Sequence, residues 1–207
     1  MGAKKADEGA LGADLSPTAR SMVAAARRVL ARDGLSGLTV EAVSAEAGQY
    51  RDAVRYHFGS KAGLIAAVVD SLAHDQSLES FVETQAMPPG PERVHALIES
   101  DRRLTGDVPT FQDFFAILPL VMRDPELRER VADLYDWYRD LYVRCFSDVA
   151  DDSDVAARFR LHASLMVAVI DGLAIQKALD PEGCDLTALF DLWEAMLHDS
   201  LGRVAGG

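Results

Sequence analysis

The sequence predicts an all-α protein, and three observations carry that prediction. Apolar residues recur at steps of three and four along most of the chain, which is the period of an amphipathic helix. Stretches that alternate apolar and polar residues, as half-buried strands do, are missing from the sequence. Gly and Pro punctuate the periodic segments. With 207 residues, 49% of them apolar, the chain has room for one large domain or for a small domain joined to a larger one.

The elements follow in order. Residues 1–15 are rich in Gly, Ala and charge and read as a flexible tail. Ser16 before Pro17 reads as the cap and first turn of a helix over 16–33. Val23, Ala26, Val29 and Leu30 form its apolar stripe, and Gly34 is placed to stop it. Residues 35–38 read as a loop. Thr39 caps a short helix over 40–47 that turns Val43 and Ala47 inward, and Gly48 breaks it. A further short helix spans 51–58, with Val54 and Phe58 assigned to the core. After a Gly-Ser turn, Lys61 opens a longer helix with Leu64, Ile65, Val68, Val69 and Leu72 as its stripe. Pro88-Pro89-Gly90-Pro91 is a clear break. Helices then run to about 104 and over about 110–123, 125–149, 153–179 and 186–201, roughly nine in all. Pro119 should kink the second of these.

Charge divides the chain. Residues 1–61 hold nine Lys/Arg against seven Asp/Glu, a net +2, while the remainder holds 12 against 26, a net −14. A total of −12 argues against a nucleic-acid partner only if it is spread evenly, and here it is not. The most apolar run, residues 161–170, contains His162 and Ser164 and is far shorter than the roughly 20 residues of a membrane span. No membrane partner and no signal peptide is expected. Cys145 and Cys184 lie far apart without CxxC spacing, which favours packed thiols in a reducing cytoplasm over a disulfide or zinc site. The acidic run Asp148, Asp151, Asp152 and Asp154 lacks the glycine and terminal Glu of a calcium loop and reads as capping and solvation. No GxSxG, P-loop, GxGxxG or HExxH occurs, and the five His show no metal-binding i, i+4 pair. No catalytic residue, metal or cofactor is assigned.

Two helices of about eight residues joined by a Gly-containing turn cannot bury a core alone. They need a third helix beneath them, which is the arrangement of a helix-turn-helix. Residues 24–64 carry Ala25-Ala26, Leu30, Gly34, Leu38-Thr39-Val40, Val43, Ala47-Gly48, Val54, His57-Phe58, Ser60-Lys61 and Gly63-Leu64. In that order and spacing the segment resembles the N-terminal domain of the TetR/AcrR family of transcriptional repressors. The resemblance implies a DNA-binding domain over 16–61 and a ligand-binding and dimerisation domain over 62–207. The implied protein is a homodimer that holds double-stranded operator DNA and is released by a small apolar or amphipathic effector.

Roles follow position by position from that resemblance. Thr39 is similar to the residue that caps the second helix and donates to a phosphate. Arg51, Asp52 and Arg55 fall on the face that meets bases and backbone. Tyr56 and His57 match an aromatic–His pair near the end of the reading helix, and Lys61 a phosphate-gripping lysine. The physics agrees for the arginines: one turn apart, they share a face, and each can pair bidentately with a guanine edge. For Tyr56, packing into the core is an equal alternative. Tyr50 replaces the usual small cap and is placed against sugar or phosphate. Glu41 would repel phosphate unless a neighbouring Arg pairs with it.

The family also places a pocket in the body and a dimer interface on the last two helices. Phe111, Phe115, Leu118, Met122, Trp137, Tyr138, Tyr142, Met166 and Ile170 are the pocket candidates, with core packing an equal alternative for each. Phe159, Met166, Leu173, Leu189, Trp193, Met196 and Leu197 are the dimer candidates, and His162 is expected to be a hydrogen-bonded interior histidine. Two other readings stay open: a ligand-binding helical dimer without DNA recognition, and a helical enzyme.

Overall fold

Several helices start where the sequence supplies a cap. A computed structural model describes residues 15–72, 83–146 and 153–205. The expected tail at 1–14 and the acidic run that includes Asp148, Asp151 and Asp152 lie outside the described residues. Among the described residues there are nine helices, a helical turn over 83–86 and no strand. The helices are α1 (Pro17–Gly37), α2 (Val40–Ala47), α3 (Arg51–Phe58), α4 (Lys61–Leu72), α5 (Pro91–Gly106), α6 (Val108–Val121), α7 (Pro125–Phe146), α8 (Ser153–Leu179) and α9 (Leu186–Ala205). The Ser16 hydroxyl accepts from the Ala19 N–H at 3.2 Å, Thr39 from Ala42 at 3.1 Å, and the Asp185 carboxylate from Ala188 at 3.1 Å. Asp124 takes the N–H groups of Glu126 and Leu127 and so opens α7.

Two local expectations are corrected. Gly34 does leave the helical region (φ 66°, ψ −173°), yet the chain regains helical form through Gly37, so 35–38 is a kinked last turn rather than a loop. Leu38, fully buried, pulls that turn back against the first unit's core. The helix after Gly106 begins and ends two residues earlier than its period suggested, and it continues through Pro119, which is exposed.

The backbone packs as two units, one of residues 1–75 with 112–131, the other of 76–111 with 132–207. In the first unit α1 lies against α2, α3 and α4. Its core is made by Met22, Ala26, Val29, Leu30, Val43, Val54, Leu64, Ile65 and Val68. Glu46 of α2 accepts from Arg28 and Arg32 of α1, at 2.8 and 2.9 Å, and fixes the angle between those helices. The Arg28 contact, then Arg32, holds the Glu46 carboxyl below its usual range. Arg27 pairs with Asp113 at 3.2 Å and Asp70 with Arg130 at 3.1 Å, which fastens 112–131 to α1 and α4.

In the second unit α8 and α9 pack on each other and on α5. Phe159, Ala163, Met166, Ile170, Leu173 and Ala174 of α8 are buried, with Phe190, Trp193 and Leu197 of α9. The Trp193 indole N–H donates to the Met166 sulfur at 3.0 Å. Length and composition alone would let Ala157–Leu179 cross a bilayer. Its residues Phe159, Ala163, Met166, Ile170, Leu173 and Ala174 are buried as it packs on α5 and α9, while Leu161, Leu165, Ile175 and Leu179 are exposed.

Candidate nucleic-acid interface and effector body

Little of α3 is consumed by packing. Of its eight residues only Val54 is buried. A helix this short is marginal alone, so its ends and neighbours hold it. Gly48 ends α2 in the left-handed region (φ 63°), and the Gln49 N–H closes back on the Ser44 carbonyl at 2.8 Å. That turn needs glycine, since a side chain rarely adopts its φ. Past α3, the Ser60 hydroxyl caps α4 through the Gly63 N–H at 3.1 Å. Gly63 passes so close to the Phe58 carbonyl oxygen that a Cβ there would sit 2.0 Å from it.

Most of the side chains expected to meet DNA are exposed, with Thr39 half-buried. Arg51, Asp52, Arg55 and Tyr56 are exposed and His57 is half-buried. Tyr50, 86% exposed, makes no capping hydrogen bond at the start of α3, and Tyr56 is 85% exposed. Packing of Tyr56 into the core is thereby excluded, while Phe58, assigned to the core, is only half-buried. The Tyr56 and His57 rings meet edge to face at 5.2 Å. Glu41 is paired: its Oε1 meets Arg51 Nη2 across the α2–α3 turn. Arg55 makes no ion pair among the described residues. Lys61 donates from Nζ to the Leu35 carbonyl at 3.3 Å and stays exposed.

The second unit holds a buried polar group that the sequence did not reveal. Asp101 of α5 is 1% exposed. Its Oδ1 accepts from the Tyr142 hydroxyl of α7 at 3.0 Å, and its Oδ2 has no hydrogen-bond partner. Burial pushes this carboxyl up to about 8, against the Tyr142 hydrogen bond, which lowers it. Seven residues before Tyr142 on α7, Tyr135 donates to Asp171 of α8 at 2.6 Å. Burial also raises Asp171. Aspartates carry no hydrophobic period, so nothing in the sequence separates these two from solvated ones.

Burial sorts the pocket candidates. Phe111, Tyr142, Met166 and Ile170 are buried, Phe115, Leu118, Trp137 and Tyr138 half-buried, and Met122 is 63% exposed. Phe115, Leu118 and Met122 belong to the first unit and the other six to the second. Cys145 and Cys184 are buried free thiols, and burial pushes Cys145 up to about 11.

The dimer candidates are placed mostly inward. Phe159, Met166, Leu173, Trp193 and Leu197 are buried within the subunit and Leu189 is half-buried. Only Met196 of that set is exposed, beside Leu161 at 72%, Leu165 and Leu192. α8 is apolar nearly all round, so period alone could not tell its inner from its outer face. Leu161, Leu165 and Met196, with His162, Trp193, Leu197 and Ser200, line a groove of about 220 Å³. There the His162 Nδ1–H donates to the Arg158 carbonyl at 2.9 Å and Nε2 accepts from the Ser200 hydroxyl at 2.8 Å, so the ring is hydrogen-bonded as expected but half-buried on the groove wall rather than interior.

Residues 22–68 match the profile of bacterial regulatory proteins of the tetR family, and residues 88–202 that of the BetI-type transcriptional repressor C-terminal domain. The HTH-type transcriptional regulator BetI 2 of Chromohalobacter salexigens is 31% identical over 160 residues, 73% of each chain. Two solved structures share the fold. A Saccharomonospora viridis protein in complex with choline superposes with a TM-score of 0.67 at 21% identity, over 89% of this chain and 95% of that one. The Bacillus subtilis regulator FadR in complex with stearoyl-CoA gives 0.64 at 18%, over 86% and 96%. With an exposed α3 and these matches along most of its length, the chain belongs to the TetR family of DNA-binding transcriptional regulators, with a BetI-type repressor body.

Proposed function

We propose that the protein is a cytoplasmic homodimeric repressor whose α3 helices enter successive major grooves of an operator. The observation that carries this is α3 itself, a helix with one buried residue and an exposed Arg51, Arg55 and Tyr56. Residues 16–61 do the reading and 62–207 carry effector binding and dimerisation. Arg51 and Arg55 read base edges, with Asp52 between them. Thr39, Tyr50, Tyr56, His57 and Lys61 hold sugar and phosphate. The second copy packs on the outer face of α8 and α9, where Leu161, Leu165, Leu192 and Met196 are exposed.

The effector is an organic cation. A buried aspartic acid with one oxygen free of hydrogen bonds, beside Tyr142 and with Tyr138 on the same helix, suits an ammonium head on an apolar frame, whose arrival would draw off the proton that burial holds on Asp101. A protein of the same fold was solved with choline, a cation of this class. Asp101 is covered, so binding requires α5 and α7 to part, and this opening is the change that lowers operator affinity.

Anisotropy titration on the DNA upstream of its own gene tests the repressor reading. Sequence-selective binding that weakens with salt is expected; sequence-blind or absent binding refutes it. Choline should then release the complex while its neutral isostere 3,3-dimethylbutanol does not. Equal release by both refutes the cationic effector and leaves the repressor standing.

A further inference from the structure

The Glu41–Arg51 pair sits where a carboxylate ought to be a liability. Glu41 lies in the first turn of α2, beside the α3 arginine it pairs with, and its side chain is half exposed. Arg51 is the first residue of α3, where the positive end of the helix dipole disfavours a cation. Joining them cancels both penalties. Exposed ion pairs add little to folding, so stability alone does not account for the arrangement. Asp52, the other acid of α3's first turn, is not in an ion pair among the described residues.

We propose that Glu41 is a specificity-determining residue that aims Arg51 at a single guanine. The proposal rests on α3 reading DNA. A free arginine has many rotamers and fixes one only at an entropic cost when it meets a base. Here Nη2 is already held by the Glu41 carboxylate. With one Nη2 hydrogen taken by Glu41, a single two-donor edge of the guanidinium, Nη1 with the second Nη2 hydrogen, is left for two acceptors side by side. Guanine presents O6 and N7 in that way in the major groove, and no other base offers two acceptors there. Arg55, one turn along and outside any ion pair among the described residues, keeps its rotamers and tolerates substitution at its own position. The operator half-site should therefore contain one strict guanine, set by Arg51, and a looser position read by Arg55.

The test is selection of operator sites from a random duplex library by the full-length protein, followed by anisotropy on duplexes altered at each position. The wild type should reject a G-to-A change at one position per half-site by roughly five- to hundredfold, as a bidentate arginine–guanine pair does. Glu41→Gln and Glu41→Ala should reduce that discrimination to about twofold while the other positions and the melting temperature stay unchanged. Arg51→Ala should lose the same position, and Glu41→Ala/Arg51→Ala should lose nothing more. Unchanged discrimination in both Glu41 variants overturns the proposal. So does a loss spread over all positions together with a lowered melting temperature, which would make Glu41 a structural residue. If the wild type selects no sequence, DNA reading itself fails and this inference with it.

Discussion

Replacing Asp101 with Asn should flatten the pH dependence of stability. Asp101 lies wholly inside the second unit, bonded through one oxygen to Tyr142 and through the other to nothing. Burial raises its carboxyl from the ordinary 3.8 to about 8. Between those two values the folded protein keeps a proton that the unfolded chain has released. Unfolding therefore sheds a proton, and stability falls as pH rises through that window, levelling off above about 8. Each pH unit inside the window costs about 1.4 kcal/mol, so the loss between pH 5 and 8 is about 4 kcal/mol. Asn keeps an oxygen to accept from Tyr142 and cannot ionise. Urea denaturation followed by circular dichroism, at one protein concentration from pH 5 to 8.5, gives both curves. The wild-type minus Asp101→Asn difference should shift by about 4 kcal/mol across that range. Asp70, Asp113 and Asp171, also raised by burial, act equally in both proteins and cancel in the difference. Parallel curves would refute the reasoning and return Asp101 to the status of an ordinary hydrated carboxylate.

Other outcomes follow from the same structure. Arg55→Ala should cost about 1–3 kcal/mol on a selected operator, whereas Lys61→Ala should weaken all duplexes alike and reduce the salt slope by about 1, both read by anisotropy at several salt concentrations. Leu165→Asp places a charge on the exposed face of α8 and should convert the proposed dimer to monomer in sedimentation, with helicity retained; a persistent dimer would move the interface elsewhere. Thr39→Ala removes the α2 cap and should destabilise the protein by about 1 kcal/mol in denaturation.

The sequence was most informative where the cause is local. Ser16, Thr39, Gly48, Ser60-Lys61 and Asp124-Pro125 mark helix ends because caps and left-handed turns depend on one or two residues. That made the helix-turn-helix and its exposed arginines legible before any packing was known. Gly34 was read correctly as a break, but Leu38, by burying itself, drew the chain into another turn, an effect of contacts distant in sequence. In the candidate site, Glu41 could be recognised as needing a partner, yet only the angle between α2 and α3 made Arg51 that partner. The dimer and pocket candidates rested on knowing which side of a helix faces in, which period alone does not give. Met166 and Trp193 turned to each other inside the subunit, Met122 turned out to solvent, and Leu161 and Leu165 took the outer face. Asp101 carries no sequence signal at all. Propensity, capping and period act over a few residues and are written in the chain. Burial of an aspartate, pairing of a glutamate and the choice between two apolar faces of α8 depend on neighbours that only the packed helices bring together.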